Sequence, residues 1–515
     1  MFTGEISLRD VFPYPLDLSA ERKEMTHVFL QSVEKFMSEV NNPTKNDDEA
    51  NIPKEVLSQF AELGSFGALV PEKYEGAGLN NTQMARLAEA VGARDLALAV
   101  VMGAHQSIGY KGILLYGTEE QKLKYLPDLA TARKFAAFCL TEAEAGSDAK
   151  SIRTRAEKTA DNRHYVINGS KLWISNGSFA DIFTVFAQTP VKGDDGIIKD
   201  KVSAFIVERT FGGVISGVPE KKMGIKGSNT TEVLFQNTKV PVENRLGEEG
   251  DGFKIAMNIL NNGRFGIPAA CTGAMKYCIQ KTIDHISERS QFNRKLKEFG
   301  NVQEQFTDMV VCHYAAESLT YMLSSVMDRG VQDYQLEAAI GKIMASENAW
   351  RVCDRAIQLH GGMGFMKECG LERILRDLRI FRIFEGANDV LRLFIALSGI
   401  QVRIHCITFI VDLRNIVHPS LIGSAKLLND LLIEFIKTIK NLLMKHKRTI
   451  VDRQYELIRV ANAAIELYSM VAVLSRCTRT SNSMASSVQE QEIANLFCKQ
   501  VIFLISNYIN EIYLL

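Results

Sequence analysis

The sequence predicts a mainly α-helical protein with a central β domain. Apolar residues recur at helical spacing over about 18–130, short alternating runs separated by Gly, Asn, Asp or Ser fill about 135–242, and helical spacing returns after Gly252 and persists. The chain has 515 residues, which is too long for one compact core. We therefore expect several domains, with helical segments before and after the β domain along the chain.

Residues 15–134 are predicted to form an N-terminal helical domain. The run 52–70 carries apolar residues at helical spacing, with a proline near its start and a glycine near its end. A turn-rich break, PEKYEGAGLN, follows it. The residues from 81 to 117 then predict two more helices, and the segment GTEEQKLKYLPDLA predicts another.

Residues 135–245 are predicted to form a small β barrel or sandwich. The strand candidates are short, apolar or alternating, and bounded by turn residues: FAAFCL, HYVING, KLWIS, DIFTVFAQ, VSAFIVE and TEVLFQNTKVP. This length and spacing is typical of an all-β domain.

Residues 246–400 are predicted to form a helix bundle, and residues 401–515 a C-terminal helical domain. Long antiparallel helices joined by short links make a bundle, and uninterrupted helical spacing covers three stretches, 251–289, 303–330 and 334–362. The segments ILRDLRIFRIFEG and ANDVLRLFIALSG follow, and a further helical block runs from about Leu421 to the end.

Composition excludes several classes of protein. Hydrophobic residues make up 46% and charged residues 23% of the chain, which excludes a disordered or collagen-like protein. Lys and Arg total 60, as do Asp and Glu, so a net charge of zero gives no general case for nucleic-acid binding. The nine cysteines include no CxxC pair, which favours a reducing compartment over a disulfide framework or a zinc ribbon.

No targeting or membrane-spanning pattern stands out. No run reaches the roughly 18 uninterrupted apolar residues that a membrane helix needs. The first residues, MFTGEISLRD, lack an apolar signal core and an Arg-rich, acid-poor transit segment. We therefore see no transit peptide in this chain. The basic run 437–448 favours a solvated helix face. A contact with a membrane or a partner protein is the second interpretation.

Several chemical motifs are absent. Gly76 and Gly78 form only a lone GxG between helical segments, and no P-loop or strand-linked GxGxxG occurs, so a Rossmann or kinase-type phosphate loop is not expected. The absence of HExxH and GxSxG argues against zinc proteases and α/β hydrolases. No metal site is expected, because the lone histidines lack ligand spacing and are predicted to pack or cap: His105, His285, His313 and His360.

Two runs in the β domain each leave two interpretations open. In FCLTEAEAGSD (138–148), Thr141, Gly146 and Ser147 offer hydroxyls and backbone N–H groups to a polar ring edge or a phosphate, but they also suit an ordinary hydrophilic turn. In KLWISNG, Trp173 is either an aromatic plate for a flat cofactor or, more commonly, a core residue.

The run RIFEGANDVLR (382–392) is the most informative for chemistry. Glu385 follows apolar residues and precedes Gly386, which permits the close approach of another molecule. Desolvation raises the pKa of a carboxyl in apolar surroundings, and such a carboxylate is a good general base near neutral pH. The alternative is an acid paired with Arg379 or Arg382 on a solvated face, and the pattern alone leaves both open.

Five runs, in this order and spacing, resemble those of the acyl-CoA dehydrogenases, flavoenzymes of fatty-acid and amino-acid oxidation: FCLTEAEAGSD, the WIS strand, RSQFNRKLKEFGNVQ, QLHGGMGF and RIFEGANDVLR. The resemblance covers about residues 15–400. The remaining segment, with HPSL and RVANAAIELYSMVAVLSR, resembles the C-terminal helical domain of the very-long-chain branch, as do GAHQSIGYKGILLYGTEEQK and SAFIVERTFGGV. The resemblance implies the family's fold: an N-terminal helical domain, a middle β barrel and a C-terminal helix bundle, here with a helical appendix.

The resemblance implies FAD as the cofactor and a set of residues that contact it. Along the flavin edge these are Phe138, Leu140, Thr141, Gly146 and Ser147, and beside the flavin ring they are Trp173, Ile174 and Ser175. At the pyrophosphate and adenosine they are Arg289 and Phe292, and after the base they are Ala387, Asn388 and Asp389. A further loop is implied to reach FAD in the neighbouring subunit, which makes a homodimer: Gln358, Leu359, His360, Gly361 and Gly362.

The resemblance also implies the chemistry. Glu385 would remove the α proton of an acyl thioester while the β hydrogen leaves as hydride to the flavin, which gives a trans-2-enoyl-CoA. The backbone N–H of Glu385 and a flavin hydroxyl would bond the thioester oxygen. Electrons would then pass to an electron-transfer flavoprotein. The implied substrate contacts are Ser147, Asn261, Asn262, Gly263, Arg264, Phe384 and Gly386.

The function implied is FAD-dependent dehydrogenation of long or very-long-chain acyl-CoA in mitochondrial fatty-acid β-oxidation, in the matrix or at the inner membrane. The small residues Gly103 and Ala104, in the helix LALAVVMGAHQSIG, predict an open path for a long acyl tail. The alternative is a flavin-binding assembly factor for mitochondrial respiratory complex I with secondary dehydrogenase activity, and an acyl-CoA oxidase is a third interpretation.

Three features depart from the family pattern. Ala143 stands where many members have Pro, and Ala387 stands where Thr is usual after the Glu–Gly pair. The link between Gln401 and His418 is much shorter than in the very-long-chain branch, where this region helps membrane binding. We expect a looser flavin loop from the first change and one hydroxyl fewer near the flavin from the second.

Overall fold

The computed structural model describes residues 2, 8–15, 18–193, 196–402, 412–483 and 488–514. Packing divides the chain into two compact units: unit 1 comprises Met1–Ser19 and Ile267–Leu515, and unit 2 comprises Ala20–Gly266. The predicted fold class is confirmed, because helices precede and follow a central β domain along the chain. The predicted short link between Gln401 and His418 contains 403–411, including Cys406, which lie outside the described residues.

The first half of unit 2 is helical. After the short helix α1 (Leu8–Val11) of unit 1, the chain forms α2 (Ala20–Glu39), α3 (Pro43–Asp48), α4 (Lys54–Glu62), α5 (Asn81–Gly92), α6 (Leu96–Met102), α7 (Lys111–Tyr116) and α8 (Glu119–Ala130). Side chains cap these helices where the sequence breaks: Asn80 and Thr118 each form a capping box, and Asp95 accepts from Ala97 N and Leu98 N.

A π-helical segment, Gly103–Gly109, joins α6 to α7. Its wider turn is closed by a bond of 3.0 Å from the N–H of Tyr110 to the carbonyl of His105, five residues earlier. The buried His105 ring lies within hydrogen-bond distance of Leu129 O (2.8 Å) and the N–H of Ala136 (2.9 Å). The prediction that this histidine packs inside the protein is therefore confirmed.

The second half of unit 2 is a β domain with one main sheet. Its strands are β1 (Ala136–Cys139), β2 (Arg155–Lys158), β3 (His164–Ser175), β4 (Ile182–Lys192), β5 (Ile198–Glu208), β6 (Val214–Ser216), β7 (Thr230–Pro241) and β8 (Arg245–Leu246). They follow the order β6-β7-β3-β2-β4-β5-β8, and β1 lies parallel beside β4. The pairing of β3 with β7 shifts register between Lys171 and Ile174, which marks a bulge.

The stretch 251–289, predicted as one helix, is instead two helices, α9 (Gly252–Gly263) and α10 (Gly266–Glu288). Helix α9 ends where the N–H of Arg264 bonds the carbonyl of Leu260. Pro268 lies in the first turn of α10, where its missing N–H is tolerated, and glycines stand on both sides of the break. The single-helix prediction failed because apolar spacing continues across the break while the backbone bonds do not.

Unit 1 continues with β9 (Ser290–Gln291), β10 (Arg294–Lys295), α11 (Gly300–Asp328), α12 (Gln335–His360), α13 (Gly362–Phe365), α14 (Leu371–Leu378), α15 (Asn388–Val402), α16 (Ile422–His446), α17 (Gln454–Ser483) and α18 (Val488–Leu514). The end of the segment predicted as helical before Glu385 is a 3₁₀ turn, Arg379–Arg382. Helix α17 packs against α11, α15, α16 and α18, so the C-terminal helices share a core with the bundle.

Helix α17 is long and apolar enough to cross a membrane by length and composition, but 72% of its most apolar window is buried inside the protein. The N-terminal segment of unit 1 also contacts it. Ser475 Oγ donates to Val11 O, Arg479 donates to Tyr14 O at 2.6 Å, and the Tyr14 hydroxyl donates to Ser318 O on α11 at 2.6 Å. Helix α17 is therefore a core helix of unit 1.

Candidate active site

The predicted flavin loop of unit 2 leaves the sheet at the end of β1. Mutual backbone bonds of 3.1 Å between Glu142 and Ala145 close a tight turn, and the N–H of Leu172 on β3 donates to Thr141 O at 2.9 Å. Beyond the turn, Gly146 and Ser147 are exposed, and a Cβ added at Gly146 would meet no atom within 4 Å. The end of the loop near β1 is thus fixed by backbone bonds, and the end with Gly146 and Ser147 is exposed to solvent.

A buried ion pair holds the base of this loop. Lys171 Nζ donates to Glu142 Oε1 at 2.7 Å and to the carbonyl of Leu140 at 3.0 Å. Thr154 and the N–H of Arg153 donate to the same carboxylate. Burial favours the neutral acid, but the charge of Lys171 and these hydrogen bonds outweigh it and lower the pKa of Glu142 below its usual value. The bonds of Lys171 therefore fix the loop to strand β3.

Trp173 is 60% exposed, so the interpretation as a core tryptophan is wrong. It lies in the bulge of β3 with φ +57°, a left-handed conformation that is rare for a bulky residue. The bulge turns its ring out of the β domain and supports the interpretation as an aromatic plate. The neighbouring Ile174 and the earlier Leu140 are buried in hydrophobic clusters, so only their backbones are available to a ligand.

The predicted substrate residues of α9 lie at its C-terminal end. Asn261 and Arg264 are buried, and the guanidinium of Arg264 donates to Asn261 Oδ1. A Cβ at Gly263 would lie 2.7 Å from the carbonyl of Ser107 in the π-helical segment, so the close approach of these two segments requires glycine. At the start of that segment, a Cβ on Gly103 would meet no atom within 4 Å.

In unit 1, the β9–β10 hairpin presents Arg289 and Phe292. Phe292 and Asn293 both have positive φ, as a two-residue type I′ turn requires. The ring of Phe292 is 89% exposed at the tip. The exposed guanidinium of Arg289 makes no hydrogen bond or ion pair to a side chain within the described ranges, so this cation is available to an anionic ligand.

The Gln358–Gly362 loop ends α12. Leu359 and His360 are buried, and the His360 ring stacks on His285 with ring centroids 4.4 Å apart. Burial is the main cause that lowers the pKa of both histidines. Gln358, Gly361 and Gly362 are exposed, and added Cβ atoms at the two glycines would meet nothing within 4 Å. Three large apolar side chains follow on the same exposed stretch: Met363, Phe365 and Met366.

The candidate base, Glu385, occupies a sharp turn between the 3₁₀ turn and α15. Glu385 has φ +51° and Gly386 has φ +98°, so two consecutive residues are left-handed. A non-glycine residue in this region costs about 1–3 kcal/mol and persists where the surroundings hold it. Phe384, the predicted substrate contact before it, packs edge-on against Phe381 with centroids 5.0 Å apart.

A buried lysine supports this turn from α12. Lys342 Nζ donates to Gly386 O at 2.8 Å and to Asn388 Oδ1 at 2.9 Å. The amide nitrogen of Asn388 donates to Ser346 and Glu347 on the same helix. The predicted FAD contact Asn388 is therefore 3% exposed with its side chain committed to α12, whereas Asp389 is exposed and Ala387 half-buried.

Family models match nearly the whole chain. They are described as acyl-CoA dehydrogenase, N-terminal domain (residues 23–133), middle domain (137–238) and C-terminal domain (250–399), followed by ACAD9/ACADV, C-terminal domain (419–513). The chain is 49% identical to the very long-chain specific acyl-CoA dehydrogenase, mitochondrial, of Mus musculus, over 97% of this chain and 81% of that protein. The chain belongs to the acyl-CoA dehydrogenase family.

Solved structures of acyl-CoA dehydrogenases have the same fold as this chain. The Bacillus anthracis acyl-CoA dehydrogenase complexed with FAD has a TM-score of 0.87 at 32% identity, covering 99% of this chain and 91% of that one. The butyryl-CoA dehydrogenase from Megasphaera elsdenii has a TM-score of 0.69 at 35% identity, covering 74% of this chain and 99% of that one. The resemblance to the very-long-chain branch is confirmed by the match of its C-terminal domain.

Both substitutions that depart from the acyl-CoA dehydrogenase pattern have a structural context. Ala143 lies inside the turn that the Glu142–Ala145 bonds close, so the loop is held without a proline. The carbonyl of Ala387 accepts the first helical bond of α15, at 2.9 Å from the N–H of Leu391. Alanine at this N-cap position lacks a side-chain acceptor, which costs a helix about 1 kcal/mol relative to threonine.

Three buried residues that hold the predicted flavin loop and the Glu385 turn were not predicted from the sequence. Lys171, Glu142 and Lys342 are each less than a tenth exposed. A signal was present in the sequence, because lysine and glutamate inside apolar runs are almost never buried unless they are paired. What the sequence did not show is which partner each one finds.

Proposed function

We propose that this protein is an FAD-dependent acyl-CoA dehydrogenase that oxidises long and very-long-chain acyl-CoA to the trans-2-enoyl-CoA in mitochondrial fatty-acid β-oxidation. The observation that carries the proposal is 49% identity, over 97% of the chain, to a mitochondrial very long-chain specific enzyme. The left-handed turn that holds Glu385 supplies a carboxylate of the kind this chemistry needs.

The residues present fit FAD. Trp173 is an exposed aromatic surface, Gly146, Gly361 and Gly362 leave space that a side chain would fill, and Arg289 is an exposed cation suited to a pyrophosphate. Thr141 and Ser147 are proposed to add hydroxyls. Phe138, Ser175, Phe292, Ala387 and Asp389 complete the proposed contacts, while Leu140 and Ile174 contribute backbone. The chemistry that bound FAD would supply is acceptance of the hydride that leaves the β carbon.

Glu385 is proposed to remove the α proton of the thioester. The turn at Glu385 and Gly386 presents a carboxylate and a backbone N–H from the same residue, and that N–H is proposed to donate to the thioester oxygen as charge develops there. One such donor contributes about 3–4 kcal/mol of transition-state stabilisation. Phe384 and Gly386 would flank the thioester, and Ser147 with Asn261–Arg264 would bind the CoA side.

The proposed partners follow from the same chemistry. Electrons would pass to an electron-transfer flavoprotein, and a homodimer would bring Gln358–Gly362 to the FAD of the neighbouring subunit. The exposed side chains of Met363, Phe365 and Met366 favour coverage in an oligomer. The protein is proposed to act in the mitochondrial matrix or at the inner membrane. No observation favours a role in complex I assembly or the oxidase alternative.

The test is Glu385→Gln, with Glu304→Gln on an exposed face of α11 as a matched control. The amide keeps the shape of the side chain but cannot accept a proton, and the loss of a positioned base costs a factor of about 100 to 10,000. We expect flavin absorbance and palmitoyl-CoA binding to persist while reduction by substrate is lost. Near-normal reduction in Glu385→Gln would refute the assignment, as would equal losses in both variants.

A further inference from the structure

We propose that helix α17 of the C-terminal helical domain positions the catalytic base through a chain of hydrogen bonds that ends at Asn462. The proposal rests on the proposed role of Glu385. All of its links lie within unit 1. It assigns Asn462, which is 77 positions from the base in sequence, as a positioning residue for proton removal.

The first link fixes the turn that carries the base. Lys342 is fully buried and its ammonium spans the carbonyl of Gly386 and the side chain of Asn388. These two bonds restrain the backbone at Gly386 and the side chain of Asn388, which both follow Glu385 in the chain. The left-handed backbone at Glu385 and Gly386 is therefore held from its C-terminal side by one side chain of α12.

The second link carries this constraint to Arg392. Asn388 donates to Glu347 Oε1 at 3.1 Å, and Arg392 donates to Glu347 Oε2 at 2.7 Å. Burial opposes the charge of Glu347, but the ion pair with Arg392 and the bond from Asn388 lower its pKa, so the carboxylate stays ionised. One carboxylate thus fixes Asn388, at the start of α15, and Arg392, one turn later.

The third link crosses to the C-terminal domain. Arg392 Nε donates to Asn462 Oδ1 on α17 at 2.6 Å, and its side chain is only 14% exposed. The planar guanidinium uses separate N–H groups for Glu347 and Asn462, so both partners are needed to orient it. Because α15 and α17 pack along one another, a rigid core helix sets the orientation of this arginine.

Asn462 acts at a distance, so its removal should weaken proton abstraction without abolishing it. Misplacing a catalytic group by about 1 Å costs on the order of 100-fold, and we expect a smaller displacement through three links, giving a loss of about tenfold in kcat. Substrate and FAD binding should change little, because Asn462 contacts neither in the proposed site.

The experiment compares Asn462→Leu, which removes the acceptor at similar size, with Asn462→Asp, which keeps it. The control is Arg459→Met, one turn away on α17, which breaks an ion pair of 2.8 Å to Glu511 on α18. FAD-loaded full-length proteins are assayed with palmitoyl-CoA and its α-deuterated form. We expect Asn462→Leu to lower kcat about tenfold and raise the isotope effect, at unchanged KM, flavin content and melting temperature. Asn462→Asp and the control should resemble the wild type.

Every other outcome overturns the proposal. An unchanged kcat and isotope effect in Asn462→Leu would show that α17 does not reach the base, and parallel losses in the control would show a structural role only. If Asn462→Leu fails to fold, Arg392→Lys serves instead, because one ammonium cannot reproduce both guanidinium bonds, and an unchanged isotope effect there refutes the chain. Turnover by Glu385→Gln would instead refute the proposed base itself.

Discussion

The ammonium of Lys171 lies 2.7 Å from Oε1 of Glu142, and the two side chains are 0% and 9% exposed. The pair joins strand β3, which carries Trp173, to the loop that carries Thr141 and Ser147. Removing one partner of a buried ion pair leaves the other charge uncompensated, whereas removing both is far less costly. The pair therefore controls whether the two proposed flavin-binding segments keep their relative positions.

We predict that Lys171→Met destabilises unit 2 by about 3–5 kcal/mol and empties the flavin site. Pairing it with Glu142→Gln should recover part of both, because the buried charge is gone and an acceptor for Thr154 remains. Thermal unfolding and the ratio of flavin to protein absorbance measure the two effects. A single variant with full flavin and an unchanged melting temperature would contradict the prediction.

FAD binding should be tied to dimerisation. A Cβ at Gly362 meets no neighbour within 4 Å, so Gly362→Val is tolerated by the isolated subunit but fills space proposed for the cofactor of the other subunit. Ligand bound only to the assembled state stabilises that state by mass action. Sedimentation with and without FAD should show weaker assembly and flavin loss in Gly362→Val. The control is Gly300→Val, at an equally open position on α11. A yellow, fully active wild-type monomer would refute this coupling.

Gly103→Leu should shift the chain-length optimum to shorter acyl chains. The position faces open space at the start of the π-helical segment. Each methylene of the acyl chain that the leucine displaces from a buried position weakens binding by up to about 0.8 kcal/mol. The control is Gly423→Leu, also open and helical but on α16. kcat/KM measured across acyl-CoA lengths tests it. Ala104→Gln should act in the same direction, and an unchanged length profile in both variants would show that the tail does not pass this helix.

Glu466→Gln should stabilise the protein increasingly as the pH rises from about 4.5 to about 7, and fully above that. Burial first, and the charge of Glu347 second, raise the pKa of Glu466 from 4.5 to about 7. Between these values the folded state holds a proton that the unfolded chain releases, so the free energy of unfolding falls as pH rises. Glutamine removes this loss, which amounts to at most about 3 kcal/mol. Melting temperatures of the two proteins should coincide near pH 4 and differ most at pH 8, and Glu434→Gln on an exposed position of α16 is the control.

The sequence predicted the fold class and the order of the domains, because the spacing of apolar residues and the choice of turn residues depend on neighbours in the chain. It did not predict the break at Arg264, since apolar spacing continues through it. It also favoured a core position for Trp173, because large aromatics usually pack, and the bulge that exposes the ring depends on pairing with β7. Glu385 was predicted as a candidate base from its run and remains a prediction, whereas the left-handed turn and its bond from Lys342 depend on tertiary contacts.

Unit 1 is built from two separate stretches of the chain, and this has a consequence during synthesis on the ribosome. Unit 2 is continuous, so all of it emerges before most of unit 1 has been made. Val11 and Tyr14, by contrast, bond Ser475 and Arg479, which are translated more than 460 residues later. The N-terminal segment therefore cannot complete its contacts within unit 1 until α17 has been made, so its full docking is a late step of folding during synthesis.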